Sequence, residues 1–495
     1  MRKVSLSIVC IIYSLICSAQ SISAQSIDER IANAMNTSDW FALDSIYNAA
    51  PKDSINPFLE VFSRGLIGNR LNRPDMSIPA FEDLLNNYST GLDLSNLLNS
   101  AVMLSMDYSK TGDNAKAASV LTSVLDATRQ YLDSAAIDGL QLYIDRYSAF
   151  APYQPYSISI EGTGGIVPFR ITPVGKPEKG SVLMTLDSSS INGLDADIVF
   201  DTGAGVNIIS DSLARKFGLI PLEAYNYVMG IGKQRTQYAI AREIKLGNIT
   251  VRDVPFVIVD FKVDNEEADR YMDCLNIVVG SELMLQLNDL TLDFIKREFT
   301  VAKAAPRKSQ TPPNMCFSPS MNLITRGTAH DNPMWICIDT GDSSFGSLNG
   351  EFLERNKDYV LTHARPDTVR MASIGGVHIS ECYTLPDVSI SLGGYTVTVP
   401  EITVNTGTNP LAASYECNLG LKSLMQFGRI QFNMVDFTIT TYPVGISECL
   451  PTSHKVHPFK YTGNNKTSFL QTLGLVTLSV ANGLFNTNAP AAPDL

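Results

Sequence analysis

The sequence predicts an α+β multidomain protein: an N-terminal all-α region of helical hairpins over residues 25–150, then two mostly-β lobes over 160–302 and 316–445. Three observations carry this. Up to Phe150 apolar residues recur at helical spacing, as in Phe81, Leu84, Leu85 and Tyr88, or Val120, Leu121, Val124 and Leu125. Beyond Pro152 and Pro155 the pattern changes to short apolar runs between glycine-containing turns. Among those runs one unit occurs twice. An apolar run from Ile198 ends on Asp201-Thr202-Gly203, and its echo from Trp335 ends on Asp339-Thr340-Gly341. Each copy is followed by a glycine turn (Gly230-Ile231-Gly232; Ile374-Gly375-Gly376), then by a run ending at Gly280 or Gly420, then by Asp293-Phe294 or Asp436-Phe437. Asp201 and Gly280 are 79 residues apart, and Asp339 and Gly420 are 81 apart, so one unit is used twice.

With 495 residues the chain has room for about three domains. A net charge of −12 and a pI near 5.0 argue against a nucleic-acid partner, because phosphate binding needs a concentrated basic face. Residues 1–24 carry Arg2 and Lys3, an apolar stretch from Val4 to Cys17, and small residues around Ala19 and Ala24. They read as a cleavable secretory signal, since the apolar core is shorter than the ~20 residues of a membrane span. Secretion across a membrane is expected, to the periplasm or exterior of a bacterial cell, with no membrane association beyond the leader. Lipid attachment at Cys17 is disfavoured by Ile16, where a small residue is needed. Signal removal leaves Cys274, Cys316, Cys337, Cys382, Cys417 and Cys449, some of which an oxidising compartment could pair. Cys337 sits in an apolar strand and is expected to be a buried thiol.

In the helical region Asp75 ahead of Ile78 and Asp113 ahead of Ala117 mark helix starts. The segments 74–88 and 112–128 resemble one another at an offset of 38 residues, which is tetratricopeptide-like. Two readings stay open: a helical domain packed on the strand-rich remainder of the chain, or an arm that binds a peptide or protein partner. Its 16 acidic and 9 basic residues fit a solvated surface. Asn192-Gly193 reads as a hairpin turn whose second strand leads toward Asp201. Residues 303–315, with Pro306, Pro312 and Pro313, read as a linker. The tail 446–495 is polar, then apolar between Phe469 and Phe485, and is expected to pack on the body as a helix.

Two carboxylates brought together cannot both ionise cheaply, so the pair holds one proton over a wide pH range. One member can then take a proton from water while the other gives one to a carbonyl oxygen. Such a site needs short glycine turns for close approach and hydroxyls to fix the carboxylates, and Gly203, Gly341, Thr202 and Thr340 have those properties. On these residues, roughly over 166–443, the chain resembles an aspartic protease, nearest to the retropepsin group, with two halves joined in one chain in the pepsin manner. The resemblance implies two acid-protease lobes, each a small closed β-structure. It implies Asp201 and Asp339 as the catalytic dyad, and Thr202 and Thr340 as the hydroxyls that grip across the interface. Gly230, Ile231, Gly232, Ile374, Gly375 and Gly376 would be flap tips closing on an extended peptide, and Gly280 and Gly420 structural glycines. Substrate would be a peptide or protein, with no cofactor and no metal.

The second copy departs from the pattern, with Asp342 at a small-residue position and Asn418 at an apolar one. If Asp342 faces the site, it raises the dyad's pKa values and moves the optimum toward neutral pH; if it faces solvent, it is inert. These departures support an alternative function, a non-catalytic secreted protein that binds a peptide or partner with a degenerate second lobe. Other chemistries fit less well. The glycines at 162–165 and 230–232 do not open a helix as a phosphate loop must. Ser343 and Ser344 lack a nucleophile-elbow context, His454 and His457 are two ligands alone in a tail, and the acids at 264–269 lack calcium-loop spacing.

Overall fold

The computed structural model describes residues 25–174, 180–229, 233–262, 266–305, 309, 311–318, 321–373, 376–407 and 415–442. The expected leader, the tail 446–495, Cys449, His454 and His457 lie outside the described residues.

Seven α-helices among the described residues occupy the N-terminal region: α1 (Ile27–Asn36), α2 (Trp40–Ala49), α3 (Pro57–Arg70), α4 (Pro74–Asn87), α5 (Leu94–Lys110), α6 (Asn114–Thr128) and α7 (Ser134–Phe150). All but α4 start on a short polar side chain that accepts a hydrogen bond from the first turn: Ser26, Asp39, Asn56, Asp93, Asp113 and Asp133. Asp75 is therefore not a cap. It is the second residue of α4, which begins at Pro74 behind Arg73, because proline has no N–H to leave unpaired there. Buried Asp107 of α5 accepts hydrogen bonds from Asn69 of α3 (3.0 Å) and Ser77 of α4 (2.7 Å), tying three helices together. No helix of the described residues is long and apolar enough to cross a membrane.

Residues 157–442 are mostly strand, in mixed sheets. In the first half Ile198–Phe200 runs parallel to Ile277–Val279, which is antiparallel to Ile208–Ser210. In the second half Asn332–Asp339 runs parallel to Cys417–Gly420, which is antiparallel to Gly346–Leu348. The sequence repeat is thus a repeat of hydrogen bonding. Ile198–Phe200 and Ile277–Val279 are buried along their whole length, which explains why they read as continuous apolar runs rather than alternating ones. Asn192 and Gly193 take positive φ (49° and 82°) in the two-residue turn joining Ser189–Ile191 to Leu194–Asp195.

The halves are not two separately closed β-structures. Arg429–Asn433, near the end of the described chain, pairs antiparallel with Asp289–Asp293 of the first half, and Thr438–Tyr442 extends the pairing. The resulting sheet has 15 strands drawn from both halves, beside an 8-stranded sheet of second-half strands. The late hairpin covers an edge that Asp289–Asp293 would otherwise leave open.

Cys274, Cys316, Cys337, Cys382 and Cys417 are free thiols, so the pairing that the sequence allows does not occur among the described cysteines. All but Cys274 are buried individually in the core, Cys337 among them.

Candidate active site

Asp201 follows the buried strand Ile198–Phe200, and Asp339 is the last residue of Asn332–Asp339. The turns after them are held alike. Oδ1 of Asp201 accepts the N–H groups of Gly203 and Ala204 (2.8 and 3.1 Å), and Oδ1 of Asp339 accepts those of Gly341 and Asp342 (both 3.0 Å). Gly280 and Gly420 let the neighbouring strand close on each turn. A Cβ at Gly280 would stand 2.5 Å from the Ala204 carbonyl oxygen, and one at Gly420 would stand 2.5 Å from that of Ser344.

The two turns meet through their threonines. Thr202 Oγ1 donates to the Ile338 carbonyl (2.7 Å) and accepts the Thr340 N–H (3.1 Å); Thr340 Oγ1 donates to the Phe200 carbonyl (2.7 Å) and accepts the Thr202 N–H (3.0 Å). Both threonines are buried, so these four bonds satisfy groups that water cannot reach. Each glycine lies under the opposite carboxylate: a Cβ at Gly203 would be 2.5 Å from Asp339 Cγ, and one at Gly341 closer still to Asp201 Cγ. The Asp201 and Asp339 side chains share a hydrogen bond.

Burial raises both carboxyls above the ordinary range. For Asp339 the charge of Asp201 adds to burial and pushes it up to about 7; Asp201, better served by backbone N–H donors, rises by burial alone. A pair in which one member holds its proton near neutrality is what general acid–base work requires. Residues 188–282 match the aspartyl protease family model.

The aspartyl protease match contains Asp201-Thr202-Gly203 and Gly280, and ends before the second copy of the unit. No curated protein matches the chain. Of the expected flap residues, Gly230, Ile231, Gly232, Ile374 and Gly375 lie outside the described residues. The strands that lead to them, Ile220–Met229 with Lys233–Leu246 and Arg365–Ser373 with Gly376–Leu392, are paired as hairpins.

Asp342 faces the site and not solvent alone. The amide of Asn418 donates to Oδ2 of Asp339 (2.9 Å) and to Oδ2 of Asp342 (3.0 Å), joining a third carboxylate to the pair. Burial, then the charge of Asp339, raises Asp342. The sequence signals for this link were an acid at a small-residue position and a polar residue at an apolar one. Two further residues gave none. Tyr271, pushed up to about 12 mainly by burial with the three aspartates adding, donates to Ser343 Oγ (3.4 Å). Buried Asn207 accepts the Gly280 N–H (2.9 Å) and so braces the strand that abuts the first turn. Of the described histidines, His330 bonds Tyr359 (2.9 Å), His363 bonds the Tyr359 carbonyl, and His378 is exposed on the strand Gly376–Leu392. Among the described residues no cluster of three or more His, Cys, Asp or Glu could hold a metal ion.

Proposed function

We propose that the chain is an aspartic endopeptidase whose site is shared between two retropepsin-like lobes of one chain, in the pepsin manner. The observation that carries this reading is the crossing of the two Asp-Thr-Gly turns, each glycine beneath the other turn's carboxylate. In this reading a water held between Asp201 and Asp339 attacks the scissile carbonyl carbon. The ionised aspartate takes the proton from that water as the C–O bond forms, and the protonated one gives its proton to the carbonyl oxygen. Transfer of a proton to the amide nitrogen then accompanies C–N cleavage, and the dyad returns to its singly protonated form.

Thr202 and Thr340 hold the two turns in register, and Gly280 and Gly420 shape them. The two hairpins would act as flaps over an extended peptide bound by backbone hydrogen bonds, with tips at Gly230 to Gly232 and Ile374 to Gly376. Residues 1–24 would direct secretion, to the periplasm or exterior in a bacterium, and the N-terminal hairpins would be tetratricopeptide-like.

The test compares wild type with Asp201→Asn and Asp339→Asn on a mixed peptide library, with a statine-type inhibitor as control. Loss of about 10²–10⁴-fold in both variants is expected. Unchanged cleavage in either variant would overturn the shared site. Inhibitor binding without any wild-type cleavage would leave a binding protein instead.

A further inference from the structure

We infer that the helical region is a fixed clamp seated across both halves of the β-rich region, a positioning element that holds the Asp201 and Asp339 turns together, not an activation segment whose departure uncovers them. The contacts divide by helix. From α2 and α3 they reach the second half: Asp39 pairs with Arg326 (2.6 Å), Phe41 packs at a tilt against Trp335 (ring centroids 5.5 Å apart), and Arg70 donates to the Ser318 carbonyl (2.9 Å). Asn72, just past α3, donates to the Met434 carbonyl (3.3 Å). From α7 they reach the first half: Arg146 pairs with Glu282, and Phe150 meets Tyr238 edge-on at 5.3 Å.

Three features separate this from a loosely docked arm. Arg70 is 0% exposed, and its guanidinium packs over Trp40 and against Met321 and Met103, so it is part of the interior. A single continuous apolar core runs from Ile31 through Phe150 and Tyr238 to Phe317 and Ile439, where separable domains each keep their own. A cleft at the junction is lined by all three parts: Lys110 and Arg146 from helices, Gly205 and Glu282 from the first half, Phe317 and Met321 from the second.

The clamp also touches the supports of the dyad. Tyr156, just past α7, donates to Glu282 (2.9 Å) and accepts from Asn207 (3.0 Å), whose Oδ1 holds the Gly280 N–H. On the other side Asn322, next to Met321, which packs against Arg70, donates to the Gly203 carbonyl (3.5 Å). None of these contacts covers Asp201 or Asp339. Departure of the helices would strip support from the Asp201 turn, and would remove Phe41 from Trp335 on the strand that ends at Asp339, without opening a path to either carboxylate. This face of the helices is occupied by the chain's own body, so it is not free for an outside partner.

The experiment uses the full chain with a site-specific protease sequence inserted after Pro152, which is exposed in the connecting segment. After nicking, the helical fragment is expected to co-elute with the rest in gel filtration and to unfold with it in one transition, with peptide cleavage retained. Cleavage should be lost across that same urea transition and not before or after it. Arg70→Met with Arg146→Met, nicked in the same way, should release the fragment at lower urea. Spontaneous separation from a β-rich part that stays folded, or cleavage that rises on release, would overturn the clamp. The activity readout rests on the endopeptidase reading, but co-elution and the single transition do not. An inactive protein whose fragment stays seated would sink that reading and leave the clamp standing.

Discussion

Asn418 donates to Asp342 at 3.0 Å, at positions where the first half places Val278 and Ala204 in one apolar cluster. The two turns that present the aspartates are therefore alike in backbone and different in charge. If the proposed reaction runs on one proton shared by the pair, the rate should fall as pH rises through about 7, where Asp339 loses its proton. Asp342→Ala removes a neighbouring negative charge, lets Asp339 ionise more easily, and should move the alkaline limb to lower pH. Asn418→Val removes a donor to the ionised form and should move it higher. The pH dependence of kcat measures both, and coincident limbs in wild type and variants would contradict the assignment.

The same shift has a stability consequence. An unfolded aspartate titrates near ~3.9, whereas folded Asp339 holds its proton to about 7. The folded state binds the proton more tightly, so this contribution is present below the unfolded value and lost as pH rises through the folded one. Asp339→Asn should therefore be more stable than wild type at pH 7, with the difference shrinking toward pH ~4. Urea denaturation at both pH values checks this, and an advantage that grew on acidification would refute it.

Thr202→Val and Thr340→Val keep shape and lose two hydrogen bonds each, leaving a buried N–H and a buried carbonyl unpaired. Each should cost about 2–4 kcal/mol from two unsatisfied groups, and serine at either position should recover most of it. Urea midpoints of the four variants decide the matter.

Gly203→Ala and Gly341→Ala place a methyl group against the opposite carboxylate. The clash is with the other turn and not with the core, so cleavage should disappear while far-UV circular dichroism stays that of wild type. Wild-type rates in either variant would mean that the turns sit farther apart than described.

Among the described cysteines only Cys274 is exposed. A thiol reagent on the folded protein should label Cys274 ahead of Cys316, Cys337, Cys382 and Cys417: burial raises all five thiols, but only Cys274 is within reach of the reagent. Mass spectrometry of labelled peptides reports the order.

The repeated Asp-Thr-Gly unit and the α-to-β change after Phe150 were legible because both are local: apolar periodicity and turn glycines act over a few residues. Asp342 and Asn418 were legible as departures but not as partners, since their hydrogen bond depends on the parallel pairing of Asp339 with Gly420. Arg70 with Ser318 and Asp289–Asp293 with Arg429–Asn433 were invisible. Each joins residues more than a hundred positions apart through a backbone carbonyl or a strand edge, which leaves no mark on residue type. The helical caps show the converse limit: Asp113 reads correctly from its neighbours, but Asp75 misleads because Pro74 takes over the helix start.

The late hairpin also orders events during synthesis. When Asp289–Asp293 leaves the ribosome its outer neighbour has not yet been translated, and the strand must wait with one row of amides unpaired until residues 429–433 arrive. A nascent chain in that state carries a sticky edge and a distant loop still to close, which slows folding and invites wrong pairing. Chaperone demand during translation should therefore fall on the first half of the β-rich region, well before the polypeptide is finished.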